Sequence, residues 1–341
     1  MIANTIVINE EKNVTLTAYL QQVEGEFGFQ KRPAMIVLPG GGYTMCPDRE
    51  ADAVAISYMN AGYQAFILRY TVKDKGLWPE PLNDYETAYE LLLKNAEEWH
   101  IDTNRICVVG FSAGGHLAAC TATIAKNKPA AAVLVYPAIL KDICDMCQLN
   151  MPYPHEHVSK DTSPCFLVAA RDDKIVDVKN TLTFGLALAE HGIPFESHIY
   201  SFGGHGFSTA KNWIITNSVS NRVPNWVEDS IGWLNENIGE LTYKGFTEPN
   251  MAVGKNGDSA AVLSVMCSLS YIHKQNDKVK EILKPMYDGM LFVATQQGYS
   301  VDGLITAMGG HPILSILEIL QIPTEQIREM NKLLQEIPNI A

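Results

Sequence analysis

One serine lies in a pattern that is typical of a catalytic nucleophile. The segment Gly110-Phe-Ser112-Ala-Gly114 follows an apolar run and leads directly into a stretch with helical character. A G-x-S-x-G turn between a buried strand and a helix holds its serine in a tight backbone geometry at the edge of a sheet. The helix N-terminus also favours negative charge that develops beside it. The pattern therefore predicts Ser112 as a nucleophile, and the alternative is a serine in an ordinary glycine-rich turn.

A serine hydroxyl needs a base that removes its proton during attack, and the base needs an acid that orients it. Where a serine sits in such a turn, the acid and the base follow it in chain order. His205 lies in a loop between glycines, after a short predicted strand. Asp172 and Asp173 lie in the polar turn that ends another strand, where α/β enzymes place functional groups. We predict His205 as the base and favour Asp173 over Asp172 as the acid; the other aspartate then has a capping or turn role.

Four other histidines have a simpler interpretation than a catalytic base. His116 lies on the helix after the serine, where packing or a local hydrogen bond is the simpler interpretation. His100, His191 and His198 lie at helix ends or on a strand, without a matching turn. We therefore assign none of them to the chemistry.

A glycine-rich segment, Leu38-Pro-Gly-Gly-Gly-Tyr43, follows the first predicted parallel strand. Its backbone N–H groups can point at an oxyanion, and the amide of Ala113, the residue after the serine, supplies a further donor. A triple glycine can instead cradle a phosphate. The chain contains neither G-x-x-x-x-G-K-[ST] nor a G-x-G-x-x-G that opens a helix, which argues against a nucleotide site.

The elements that must position these residues are short apolar runs that end at turn residues. Such runs are typical of strands that helices cover on both faces. The predicted strands are 34–38, 64–68, 106–109, 131–135, 165–169 and 196–200, and the predicted helices are 48–61, 81–99, 113–125 and 226–238. This alternation predicts an α/β fold with a mostly parallel, doubly wound sheet. Polar and apolar residues alternate over residues 5–23, which predicts antiparallel strands before it.

The pattern changes after residue 240. Residues 239–250 have the composition of a linker, so we expect one α/β domain over residues 1–240 and a small helical domain over 245–341. The predicted helices of the second domain are 259–272, 278–293, 313–320 and 324–334, with no convincing strand. These helices can cover the active site, form a homo-oligomer surface or bind a partner; the simplest interpretation is an ordinary amphipathic core.

Composition excludes several classes of partner. The 341 residues include 26 Lys and Arg against 38 Asp and Glu, and the net charge of −12 argues against nucleic acid and anionic membrane surfaces. No apolar run approaches the roughly 18 to 20 residues that span a bilayer, and the N-terminus lacks the features of a signal peptide. We therefore expect a cytoplasmic protein. Seven cysteines, an odd number, are then expected to be reduced.

The segment between the strands at 131–135 and 165–169 contains Cys144-Asp-Met-Cys147, followed by His155 and His157. This spacing fits no common zinc template, and we expect no metal site. A connection at this place lies over the carboxyl edge of the sheet. Met146, Met151 and Tyr153 are therefore candidates for the wall of a substrate pocket.

Seven segments together resemble the α/β-hydrolase superfamily, in particular its acetyl-xylan-esterase-like and hormone-sensitive-lipase-like carboxylesterases. They are LPGGGY (38–43), FILRYTV (66–72), WPEPLND and the helix after it (78–99), GFSAGGHLA (110–118), YPAI (136–139), RDDKIVDV (171–178) and GGHGF (203–207). The resemblance covers residues 30–240 and leaves residues 245–341 outside it. It implies an α/β-hydrolase fold and no metal or organic cofactor.

The resemblance also implies Ser112 as nucleophile, His205 as base and Asp173 as acid, with the amides of Gly41, Gly42 and Ala113 as the oxyanion hole. This chain departs from the family's motifs at two positions. Asp177 replaces the proline of the D-x-x-V-P motif, and Pro39 replaces the histidine that usually precedes the glycines.

The expected function is that of a serine carboxylesterase that hydrolyses small acyl groups, acetyl above all, from a small-molecule ester. The alcohol can be a sugar or a xylan-derived alcohol. The short connection before the acid strand leaves little room for a large lid, which favours small acyl groups. Two alternatives remain open: a serine peptidase of the same fold, and a catalytically silent binding module.

Overall fold

The structure is a computed structural model that describes residues 2–23, 25–72, 78–141, 150–215, 218–247, 249, 258 and 262–339. The chain divides into two compact units, Met1–Pro249 and Asn250–Ala341. The first unit contains an eight-stranded sheet with helices, and the second is helical. In the described ranges no helix combines the length and the apolar character that crossing a bilayer requires.

A mostly parallel sheet forms the centre of the first unit, which confirms the predicted fold class. Its strands are β1 (Ile2–Asn9), β2 (Val14–Leu20), β3 (Arg32–Leu38), β4 (Gln64–Arg69), β5 (Ile101–Phe111), β6 (Ala132–Val135), β7 (Cys165–Ala170) and β8 (Phe195–Tyr200). Their order across the sheet is β1-β2-β4-β3-β5-β6-β7-β8. Strands β3 to β8 are parallel, whereas β1 with β2 and β2 with β4 pair antiparallel. The carboxyl ends of the parallel strands therefore meet at one edge.

The described helices of the first unit are α1 (Asp52–Asn60), α2 (Glu80–Lys94), α3 (Ala113–Thr123), α4 (Lys179–Glu190) and α5 (Trp226–Ile238). The predicted helix at 48–61 is interrupted, because Asp48–Glu50 forms a separate 3-10 turn before α1 begins. Helix α4 lies outside the predicted helices. Helix α3 is buried along its whole length, and its many small side chains allow it to pack closely on the sheet.

Two apolar clusters lie on opposite faces of this sheet. Successive side chains of a strand point to opposite faces. Accordingly, Ile36 of β3 belongs to the cluster that includes Leu117 of α3, whereas its neighbour Val37 belongs to the cluster that includes Trp226 of α5. Both faces of β3 are therefore buried, which explains the unbroken apolar run that predicted it.

The segment predicted as a linker is instead partly folded onto the first unit. It forms a hairpin of two short strands, β9 (Leu241–Thr242) and β10 (Gly245–Phe246). The amide of Gly28 donates to the carbonyl of Tyr243 at 2.8 Å, and the Arg105 guanidinium lies 3.9 Å from the centre of the Phe246 ring. The first compact unit therefore includes this hairpin and extends to Pro249, within the segment predicted as a linker.

The described helices of the second unit are α6 (Leu269–His273), α7 (Asp277–Ile282), α8 (Lys284–Gln297), α9 (Val301–Met308), α10 (Ile313–Ile319) and α11 (Thr324–Gln335). They enclose an apolar core that includes Leu269, Met286 and Leu334. The predicted helix at 259–272 is helical only from Leu269; residues 259–261 lie outside the described residues. The predicted helix at 278–293 is divided at Leu283, because Pro285 lies in the first turn of α8, where a missing N–H is tolerated.

Candidate active site

Ser112 occupies a strained turn between β5 and α3. Its backbone has φ 53° and ψ −114°, a conformation that residues other than glycine rarely adopt. Hydrogen bonds hold it there: its N–H donates to the Val135 carbonyl at 3.0 Å, and its carbonyl accepts the His116 N–H at 2.9 Å. The turn thus directs the Ser112 side chain away from the sheet core, into a cavity at the carboxyl edge.

The close approach of α3 to β3 requires a glycine at position 114. A Cβ on Gly114 would lie 2.1 Å from the Leu38 carbonyl oxygen, far inside van der Waals contact. The two glycine-containing motifs are therefore packed directly against each other, which places the glycine loop beside Ser112.

The structure brings Ser112, His205 and Asp173 into one chain of hydrogen bonds. His205 Nε2 lies 2.9 Å from Ser112 Oγ, and His205 Nδ1 lies 2.7 Å from Asp173 Oδ2. A carboxylate only accepts hydrogen bonds, so the Nδ1–H faces Asp173 and leaves Nε2 free to accept the serine proton. The side chain of Asp173 is 1% exposed, and its Oδ1 accepts the amides of Ile175 and Val176, both at 2.9 Å.

The neighbouring aspartate points to a different partner. Asp172 Oδ1 accepts the amides of Gly203 at 2.8 Å and Gly204 at 3.0 Å. The bond from Gly204 is the main reason why the pKa of Asp172 is lowered, since it stabilises the charged form. Asp172 therefore ties down the loop that carries His205, whereas Asp173 contacts the imidazole itself.

The predicted oxyanion donors line the same cavity as Ser112. Gly41, Gly42 and Ala113 contribute to its wall. Within the described part of the chain, no oxygen accepts a hydrogen bond from these three amides, so each remains available to a ligand. The loop itself is a tight turn, because the N–H and the side-chain hydroxyl of Thr44 both donate to the Gly41 carbonyl.

A buried carboxylate links the glycine loop to the histidine loop. Glu50 is 1% exposed; its Oε2 accepts the Gly40 N–H at 2.8 Å, and its Oε1 accepts the Tyr136 hydroxyl proton at 2.7 Å. The Tyr136 oxygen in turn accepts the Ser208 N–H at 3.0 Å. Burial, with the Glu50 charge beside it, raises the pKa of Tyr136. The Tyr136 ring also packs edge-on against His205, with centroids 4.9 Å apart.

Two further side chains hold the ends of the glycine loop. The Tyr70 hydroxyl donates to the Pro39 carbonyl at 2.5 Å. His116 Nδ1 lies 2.8 Å from the Tyr43 hydroxyl, and its Nε2 lies 2.9 Å from the Pro152 carbonyl. A carbonyl only accepts, so Nε2 carries the proton and Nδ1 accepts from Tyr43. Burial lowers the pKa of His116 to about 4, which keeps the ring neutral near pH 7. His116 thus has the local hydrogen-bonding role that its position predicts.

The cavity at Ser112 measures about 200 Å³. Its apolar wall is formed by Ala138, Met151, Ile175 and Val176. Met151 was one of the residues expected there; Tyr153 instead packs against the apolar core, and Met146 lies outside the described residues. Cys144 and Cys147 lie outside them as well. Elsewhere in the described ranges, no three His, Cys, Asp or Glu side chains are grouped closely enough to hold a metal ion.

Sequence reasoning missed Glu50, Tyr136 and Arg49, all of which belong to this site. Glu50 and Arg49 lie in a segment predicted as an ordinary helix, where charged residues normally face solvent. Tyr136 does lie in the YPAI segment, directly after a predicted strand. Its position at the carboxyl edge was therefore the one available signal.

Comparison with known proteins gives relatives for the first unit. The BD-FAE family model matches residues 26–146. The chain is 32% identical to endo-1,4-beta-xylanase B of Butyrivibrio fibrisolvens, over 53% of this chain and 33% of that protein. It is 26% identical to an acetylxylan esterase of Xylanibacter ruminicola, over 57% of this chain and 45% of that protein. The chain therefore spans less than half the length of these two relatives.

Solved structures extend the comparison. The acetyl ester-xyloside bifunctional hydrolase from Caldicellulosiruptor lactoaceticus is 31% identical, with a TM-score of 0.58, over 65% of this chain and 88% of that one. MGS-M1, an alpha/beta hydrolase enzyme from a Medee basin deep-sea metagenome library, is 38% identical, with a TM-score of 0.65, over 70% of this chain and 98% of that one. With this identity over nearly the whole of a solved relative, and with the parallel sheet and serine turn described above, the chain belongs to the α/β-hydrolase superfamily.

Proposed function

We propose that the protein is a serine carboxylesterase that hydrolyses small acyl esters, acetyl esters foremost, through an acyl-enzyme. The observation that carries the proposal is the hydrogen-bonded chain from Ser112 through His205 to Asp173, which opens onto a cavity with three available amides. The names of the relatives, an acetylxylan esterase among them, support an ester as the substrate.

The mechanism follows from the arrangement of these groups. His205 Nε2 takes the Ser112 proton while Oγ attacks the acyl carbonyl carbon, and Asp173 stabilises the imidazolium that forms. The amides of Gly41, Gly42 and Ala113 hold the negative charge on the carbonyl oxygen. The C–O bond then breaks, and the alcohol leaves with the proton from His205. Water, activated by the same histidine, attacks the acyl-enzyme and releases the acid.

The size of the cavity supports a small acyl group. A volume of about 200 Å³ lies below the roughly 300 to 1,000 Å³ of pockets that enclose drug-sized ligands. Its wall has small or aliphatic side chains at Ala138 and Val176, which suit a methyl group better than a charged one. Since the relatives include xylan-active hydrolases, we include sugar alcohols among the proposed leaving groups.

Ser112→Ala tests the proposal directly. We expect hydrolysis of p-nitrophenyl acetate to fall roughly 10⁴- to 10⁶-fold, because the nucleophile is removed while the pocket remains. A fluorophosphonate probe should label wild type at Ser112 in peptide mass spectra and leave the variant unlabelled. Ser57→Ala, at a half-buried position of α1 that does not line the cavity, is the matched control and should retain full activity.

A series of acyl lengths tests the finer part of the proposal. We expect kcat/KM to decrease from acetate to butyrate to octanoate p-nitrophenyl esters, because longer chains exceed the cavity. Unchanged hydrolysis by Ser112→Ala refutes Ser112 as the nucleophile. No labelling of folded wild-type protein refutes the serine esterase and favours a binding module. A preference for octanoate refutes only the small acyl group.

A further inference from the structure

Arg49 is a cationic side chain at the rim of the proposed catalytic cavity. Its side chain is 52% exposed and lines the cavity that contains Ser112. It also lines a second cavity of about 150 Å³, whose wall includes Phe207, Ile214 and Ile215. His205 lies in the walls of both cavities, so Arg49 and His205 together separate them.

The backbone of Arg49 is held in place from several directions. The Ser208 hydroxyl donates to its carbonyl at 2.5 Å. On either side of it, Asp48 pairs with Arg69 at 2.7 Å, and Glu50 accepts its buried hydrogen bonds. The backbone end of the Arg49 side chain is therefore fixed relative to the histidine loop, although the guanidinium reaches solvent.

The guanidinium itself has little to bind within the protein. Its Nε lies 3.8 Å from Glu50 Oε1, and both oxygens of that carboxylate already accept hydrogen bonds. Over the described ranges this is the one ion pair of Arg49, and no oxygen there accepts a hydrogen bond from its guanidinium. A long, half-exposed pair of this kind contributes little to folding stability, which leaves the planar N–H groups available to a ligand.

The glycine after His205 brings this guanidinium close to the proposed base. Gly206 has φ +75°, and a Cβ there would lie 3.0 Å from Arg49 Nη2. Gly206 thus allows the loop to turn and also leaves room for the arginine head. The cation consequently lies directly against the backbone beside His205.

We propose that Arg49 binds a carboxylate carried by the alcohol part of the ester. This inference rests on the proposed esterase function. The alcohol must lie beside His205, because it receives the histidine proton as it leaves. A carboxylate on that alcohol can reach Arg49, and the planar N–H fork matches its two oxygens. The substrate class is therefore a small acyl ester of an acidic alcohol.

Two acetyl esters of matched size test the proposal: 3-acetoxybenzoate, which carries a carboxylate, and the neutral 3-acetoxybenzamide. Both give the same acetyl-enzyme, so their kcat/KM values differ only in binding and acylation. We expect wild type to prefer the anionic ester and Arg49→Gln to lower that preference about five- to tenfold, with the neutral ester changed less than twofold. Arg49→Lys should keep part of the preference, and 0.5 M salt should weaken it in wild type.

Lys211→Gln is the matched control, because it removes one positive charge from an exposed residue whose carbonyl accepts the amides of Ile214 and Ile215 in the wall of the second cavity; it should leave the preference unchanged. No hydrolysis of either ester by wild type would refute the esterase function itself. Equal use of both esters by wild type, or an equal loss for both in Arg49→Gln, would overturn the role of Arg49 and leave the esterase function standing.

Discussion

The two sides of the Ser112 turn are held in place by different means. On one side, the glycine loop (residues 38–44) is held by side chains from other elements: the Tyr70 hydroxyl, the Glu50 carboxylate and the His116 ring. These side chains are buried, and they contact the loop without touching Ser112 Oγ. The loop therefore depends on the surrounding core for its shape.

On the other side, the two aspartates supply bonds that hold the loops carrying the acid and the base, in addition to the contacts of Tyr136 and Arg49 with the histidine loop. Asp173 accepts two amides of the turn in which it lies, and Asp172 accepts two amides of the histidine loop. Here the same short segment supplies both the proposed acid and the bonds that hold it.

This difference determines what a substitution should affect. A change on the aspartate side acts directly on proton transfer, because it alters the partner of the imidazole. A change on the glycine side leaves Asp173 and its bond to the imidazole in place and mainly shifts the amides that stabilise the oxyanion. Substitutions on the two sides should therefore differ in size and in kind.

The largest expected difference is between Asp173→Asn and Asp172→Asn. An asparagine at 173 cannot stabilise the imidazolium and favours the wrong tautomer, so we expect kcat for p-nitrophenyl acetate to fall roughly 10³- to 10⁴-fold. An asparagine at 172 still offers an oxygen to the Gly203 and Gly204 amides, so kcat should fall less than roughly tenfold. The two isosteric variants serve as controls for each other.

Comparable losses in the two variants would contradict this assignment, because Asp172 would then act as more than a support for the loop. A large loss in Asp172→Asn alone would make it the acid, against the geometry at His205. Thermal unfolding of both variants separates loss of catalysis from loss of folded protein.

A smaller effect is expected from Glu50→Gln on the glycine side. The glutamine oxygen can still accept the Gly40 N–H, but its amide must then donate to Tyr136, which leaves the tyrosine proton without its partner. We expect kcat to fall about tenfold, the size of one hydrogen bond to a charged group, with KM changed little.

Steady-state kinetics with p-nitrophenyl acetate measure this effect, and Glu90→Gln, at an exposed ion pair with Lys126, is the control. If Glu50→Gln lowered kcat as much as Asp173→Asn does, the glycine side would also act on proton transfer by His205. Unchanged kcat would mean that the glycine loop keeps its shape without the carboxylate.

The same contrast explains how much of the site was predictable from the sequence. Ser112 and His205 lie in short motifs whose glycines reveal the backbone geometry that they need. The sequence favours Asp173 over Asp172 without excluding Asp172, because adjacent residues in a turn differ only in which amides they face after folding. Glu50 carried no local signal at all, since its burial depends on Tyr136, which lies 86 residues away in the chain.

The accuracy of the predicted element boundaries was limited in the same way, by contacts between residues that are distant in the chain. The hairpin at residues 241–246 has a linker-like composition, and its partners are Gly28 and Arg105, far away in the chain. Strand and helix periodicity therefore predicted the parallel sheet, whereas contacts distant in sequence decided where the first unit ends.

His116→Gln is expected to have the smallest effect on catalysis at neutral pH. Its effect should appear instead in the pH dependence of the free energy of unfolding. A glutamine can accept from Tyr43 and donate to Pro152 as the neutral ring does, but it cannot titrate. Since burial lowers the pKa of His116 to about 4, the unfolded chain binds a proton below its pKa of about 6.5 that the folded protein does not. Wild type should therefore lose about 2 kcal/mol relative to the variant as the pH falls from 7 to 5.

Urea unfolding of both proteins at the two pH values measures this difference, and the other histidines cancel because both proteins contain them. The contribution of His116 should level off below pH 4, where both states are protonated. Parallel stability curves would mean that the folded protein accepts the proton on His116. The glycine loop would then tolerate a charged ring behind Tyr43, and its shape would depend on Tyr70 and Glu50 instead.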